Sequence, residues 1–104
     1  MKLPETVRIG QKVYTVGEKR YVFDKNLGGS INYNVDTISI RKGMPEREVE
    51  ATFFHEIAHG VLHELEFTHP QITSFRSNET FVQEMGLMMR QIFQQLVHEQ
   101  GVRK

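Results

Sequence analysis

Apolar and polar residues alternate in "TVRIG" and "KVYTVGE", and again in "SINYN" and "TISIR". Such alternation sends every second side chain to one face, as in half-buried strands. The last two segments, separated by "VD", predict a hairpin. Ile31 and Tyr33 share one face, and Ile38 and Ile40 share one face of the paired strand. Gly28 and Gly29 punctuate the chain just before it. These segments predict a small antiparallel sheet of about three strands, with "RYVFD" as a further short strand or turn of helix.

From residue 45 the period changes. Pro45 suits a helix start, and Glu46, Glu48 and Glu50 place negative charge near the positive end of a helix dipole. A first helix is predicted from Glu46 to about Glu66, with Ala51, Phe53, Phe54, Ile57, Ala58, Val61, Leu62 and Leu65 spread over about half its circumference. A helix so widely apolar belongs at the centre of a domain. "FTHPQITSFRSN" reads as a connector broken by Pro70. A second helix is predicted from about Asn78 to Glu99, capped by Asn78 or Ser77, with "GVRK" as a frayed tail. Its apolar residues, Phe81, Val82, Met85, Met88, Met89, Ile92, Phe93 and Leu96, recur at three- and four-residue intervals. The predicted class is α+β, a short sheet followed by two main helices, in one domain over residues 1–104.

Composition narrows the function more than the fold. The chain has 104 residues, 13 basic and 13 acidic, so no basic field argues for nucleic acid. With no cysteine there are no disulfides, zinc ribbons or thiol nucleophiles. No apolar run has the length of a signal-peptide core or a membrane span, and the expected compartment is the cytoplasm.

Against this plain background "ATFFHEIAHGVLHEL" is anomalous, with three histidines and polar acids set in an apolar run. Burial of such groups is costly unless each finds a partner, and a metal ion satisfies several at once. His55-Glu56-Ile57-Ala58-His59 is H-E-x-x-H. Histidines four residues apart on a helix lie one above the other, about 40° apart around the axis, so both rings reach one ion. Glu56 is turned away from that line, toward the place of a metal-activated water, which suits a general base. Zinc, one per chain, fits an imidazole and carboxylate set with one open position.

A third protein ligand is needed. In the longer pattern H-E-x-x-H-x-x-G-x-x-H the glycine and third histidine would fall at Leu62 and Leu65, so that pattern fails. His63 has drifted about 80° from His55 and reads as a rim residue. Glu79, Glu84 and His69 are the other candidates. Glu79 shares a helical line with Val82, Gly86, Phe93 and Val97 at the apolar border, while Glu84 shares the solvent side with Gln91 and Gln95. That arrangement favours Glu79, and Gly86 would let the two helices approach closely.

The order of parts, a short sheet, then "TFFHEIAHGVLHEL", then a helix beginning "NETFVQEMGLMM", resembles the small zincin-like metallopeptidases of the ImmA/IrrE type, common in phages and mobile elements. The resemblance covers about residues 28–97, and H-E-x-x-H is its one highly specific motif. It implies a minimal gluzincin-like domain in which His55, His59 and Glu79 hold the metal and Glu56 is catalytic. It also implies that Val82, Gln83 and Gly86 pack beneath the metal. The sequence lacks the "LLMP"-like ending of the family's second helix. Members of the type are similar to proteases that cleave repressors or other regulators. That implies a protein or peptide substrate in the cytoplasm, that of a host cell if the chain is phage-encoded.

The function so expected is zinc-dependent hydrolysis of a peptide bond, with Glu56 as general base. His63, His69 and Tyr33 are candidates for contacting the substrate or the oxyanion. The alternative is a non-catalytic, zinc-containing protein-binding module of the same fold. Neither nucleic acid nor membrane is an expected partner.

Overall fold

The computed structural model describes residues 2–20 and 28–103, with side chains to residue 97. Four strands precede the helices: β1 (Thr6–Ile9), β2 (Lys12–Lys19), β3 (Gly29–Asn32) and β4 (Thr37–Arg41). Helix α1 (Glu46–Glu66) follows, then a 3-10 turn (Pro70–Ile72), a one-turn helix α2 (Thr73–Arg76) and α3 (Glu79–Arg103). The α+β class and the bounds of α1 are as the sequence predicts. From residue 21 on, the segment "RYVFD" lies outside the described residues.

Strand number and pairing differ from expectation. The sheet is four-stranded and mixed, in the order β1-β2-β4-β3. Both sequence-adjacent pairs are antiparallel, but β2 and β4 run parallel, with Val16 beside Ile38. Burial explains the order. Ile38, Ser39 and Ile40 are consecutively buried, so β4 takes an inner position, where parallel pairing is favoured. The short β3 is left at the edge. Gly10, at φ 61°, supplies the positive φ demanded by the two-residue turn between β1 and β2.

Tyr33, expected on a strand face, lies instead in the turn Tyr33–Asp36. Asp36 adopts the left-handed region at φ 49°, and the Asn34 amide donates to Asn32 Oδ1 at 2.9 Å. Lys12 Nζ ties the turn to β2, bonding the Tyr33 carbonyl at 3.1 Å and the Asp36 carboxylate at 3.2 Å.

One sheet face carries Ile9, Tyr14, Val16, Ile38 and Ile40 against Phe53 of α1. A second cluster, Ala58, Leu62 and Val82, lies between α1 and α3. α1 and α3 are antiparallel: going up α3, Gln83, Gly86, Phe93 and Gln94 meet His55, Phe54 and finally Glu50. Glu50 is therefore no dipole acid at the helix mouth. It is buried, accepting from Arg90 Nε at 2.8 Å and from Gln94 Nε2 at 2.7 Å. Burial alone would push its pKa up, but the bonds and charge of Arg90 and Gln94 prevail and hold it below its ordinary value.

α3 starts under an Asn78 cap, whose Oδ1 accepts from the Phe81 amide at 3.0 Å. It runs past the expected end at Glu99 to Arg103, because Gly101 alone costs a helix only about 1 kcal/mol. No helix among the described residues is long and apolar enough to cross a membrane.

Candidate metal centre

His55 and His59 project from one side of α1, their ring centroids 4.9 Å apart. The antiparallel α3 brings its first residue beside them. Glu79 Oε2 lies 3.1 Å from His55 Nε2, and Oε1 lies 3.2 Å from His59 Nε2. Both histidine side chains are largely buried, whereas the Glu79 side chain is 60% exposed. Ligand atoms of the three residues all lie within 4.8 Å of one another, the one such His/Cys/Asp/Glu cluster among the described residues.

The donor set fits a cation. Gln83 Oε1 lies 2.8 Å from His55 Nδ1, and an amide oxygen only accepts, so Nδ1 carries the proton. The Nε2 lone pair then faces a carboxylate oxygen at 3.1 Å, a contact that needs a proton or a metal ion to neutralise it. Burial is also the main influence that lowers the His59 pKa from 6.5, with Glu79 opposing it, so this ring is a neutral donor near pH 7. Zinc bonds of about 2.0–2.2 Å put tetrahedral ligand atoms about 3.3 Å apart, close to the 3.1 Å and 3.2 Å that separate the Glu79 oxygens from the two histidine nitrogens. Gln83 orients His55 from behind, as outer-sphere partners of metal-binding histidines do.

A cleft of about 370 Å³ opens beside this cluster, lined by Glu56, His59 and Glu79 on one side and by Gly29, Ser30, Ile31 and Tyr33 on another. Glu56 is 3% exposed. Its burial, and then the charge of Glu79, push its pKa up to about 7. Burial likewise pushes the Tyr33 phenol up to about 12, so it stays protonated and donates, here to the His59 carbonyl at 3.4 Å.

The other sequence candidates separate clearly. His63 is outside the cleft lining; its ring stacks on Tyr33 with centroids 3.8 Å apart and planes 12° apart. His69 is exposed, hydrogen-bonded to Thr68 Oγ1 at 2.9 Å, and away from the cleft. Glu84 is exposed and outside the cluster. Arg76 and Ser77 also line the cleft; the sequence marks Ser77 only as a candidate helix cap, and Arg76 not at all. Arg76 Nε is held 3.1 Å from Glu66 Oε2, which ties α2 to the end of α1. Gln83, which the resemblance puts among the residues packing beneath the metal, stands one turn after Glu79 on the same helix face and touches His55.

Comparison with protein-family models, with curated proteins and with solved structures finds no match to this chain.

Proposed function

We propose that this chain is a zinc-dependent peptidase of the H-E-x-x-H class, hydrolysing a peptide bond of a protein or peptide substrate. The observation that carries the reading is the placement of the Glu79 carboxylate on both histidine Nε2 atoms, with the buried Glu56 lining the same cleft. His55, His59 and Glu79 would hold the ion, leaving one side open to the cleft. Zinc, when bound, lowers the pKa of a coordinated water to near 7 and polarises a carbonyl.

Glu56 is the general base. It takes the proton as the nucleophile forms and passes it to the leaving amine. In this reading the Tyr33 phenol gives up its long 3.4 Å bond to the His59 carbonyl and donates instead to the oxygen on which charge develops, with the His63 ring stacked against it. The edge strand β3 brings main-chain groups of Gly29, Ser30 and Ile31 to the cleft wall, where an extended substrate can add as a further strand. The resemblance to the ImmA/IrrE type suggests a regulator or repressor as the substrate.

Metal analysis of protein purified without chelator, paired with the Glu56→Gln variant, tests the reading. One zinc per chain is expected, and Glu56→Gln should keep metal and fold while losing hydrolysis of an unstructured protein substrate. A folded chain that takes up no divalent ion would sink it. Loss of zinc in Glu56→Gln would show that Glu56 is a ligand, not the base.

A further inference from the structure

The apolar arc of α3 is wider than the surface α1 covers. Val82, Gly86, Met89 and Phe93 point at α1, while Phe81, Met88, Ile92 and Leu96 cluster about a quarter turn away at ~100° per residue. The stripe is continued by Phe75 of α2, whose ring centroid lies 5.1 Å from that of Phe81. These five side chains are between 38% and 59% exposed. Met85 lies between the two faces and packs on the inner cluster, so the stripe continues the core outward.

We propose that this stripe is the interface of a two-fold homodimer in which α3 packs antiparallel against α3 of a second copy. The proposal is independent of the metal-site reading. At roughly 200 Å² per large side chain, the exposed parts of the five residues amount to about 500 Å² per copy. Two copies bury about 1,000 Å² in total, the lower bound of a specific interface.

The spacing is self-complementary. From Phe81 to Leu96 the stripe is about 23 Å long with Met88 at its middle. An antiparallel two-fold therefore sets Phe81 of one copy against Leu96 of the other, Met85 against Ile92, and Met88 against itself. Charge permits it as well. The flank away from α1 carries Gln91 and Gln95 with one acid, Glu84. In this register Glu84 faces those glutamines, and the two Glu84 carboxylates stay about 13 Å apart, beyond the ~8 Å screening length.

The chain has no cysteine, so one introduced thiol reports the register. Sedimentation at about 100 μM, above the micromolar affinity expected of so small an interface, should give twice the chain mass of 12.2 kDa. Ile92→Glu should weaken the dimer by about 100-fold or more while retaining native circular dichroism, since it sets an unpaired charge in the apolar contact. Met88→Cys should form an intermolecular disulfide under mild oxidation. Phe81→Cys should not, because its mate would lie about 22 Å away, well beyond disulfide reach. A monomer at 100 μM overturns the proposal. So does a dimer unaffected by Ile92→Glu, which would indicate another surface, or efficient cross-linking at Phe81→Cys, which would indicate a parallel pair.

Discussion

Gly86→Ala should destabilise the protein, although most helix-interior glycines gain from this change. A Cβ at Gly86 would lie 3.1 Å from His55 Cα, 3.1 Å from His55 N and 3.1 Å from the Phe54 carbonyl oxygen. All three are backbone atoms of a helix, so no side chain can swing aside. Ordinary carbon contacts begin near 3.5 Å, so α3 must retreat by roughly 0.4 Å. One added methylene in a packed contact costs about 1–3 kcal/mol, against a helix-propensity gain of about 1 kcal/mol. The expected net loss is therefore about 1 kcal/mol in urea unfolding. Glu79 and Gln83 move with α3, so zinc affinity measured against a competing chelator should fall about 10-fold, as when an outer-sphere partner is lost. A variant that gains a full kcal/mol and binds zinc as tightly as the parent would refute the close-approach argument.

Glu79→Ala should lower zinc affinity by about 100-fold or more, and Glu84→Ala should leave it unchanged, since only Glu79 touches both histidines. The opposite ranking in the same chelator titration would place the α3 register wrongly. Because the folded pKa of Glu50 lies below its ordinary value of 4.5, its contribution to stability is full above that pH and fades as pH falls through the folded pKa. Arg90→Met should cost about 2 kcal/mol at pH 7 by leaving a buried carboxylate short of its cation. That deficit should shrink as pH falls through the folded pKa of Glu50 and the carboxylate takes up a proton. A deficit that stays constant as pH falls, read from urea midpoints, would remove the ion pair from the account.

What the sequence made legible is what is local in the chain. The bounds of α1 follow from Pro45, the acids after it and the polar turn formers that precede Pro70. The two histidines fall on one side because a four-residue step on a helix leaves them no alternative. Glu79 was legible by one further step: the two helices must bury facing stripes, and the connector from Phe67 to Ser77 is long enough to let them run antiparallel, which brings the start of α3 to the middle of α1. Gly86 supported this reading before any contact was visible, because a glycine at a buried position of an otherwise unbroken helix pattern implies close backbone approach.

The rest depended on pairings that periodicity does not encode. Alternation shows that β2 and β4 are strands, but not that they lie side by side and parallel, because that choice is made by which strand is buried on both faces. Tyr33 reads as a strand residue by alternation, yet the Asx turn at Asn32 and the left-handed Asp36 bend the chain there and carry its phenol to His59. Glu50 reads as a dipole acid because its true partner, Arg90, is 40 residues away. The clasp it forms has a consequence for the site. Glu50 with Arg90 and Gln94 fixes one end of the α1–α3 pair, and Gly86 fixes the spacing in its middle. Glu79 at the other end is thereby held against the histidines by contacts that involve neither histidine side chain. A site supported in this way is pre-organised by the helix pair, so binding an ion there need not order the chain around it.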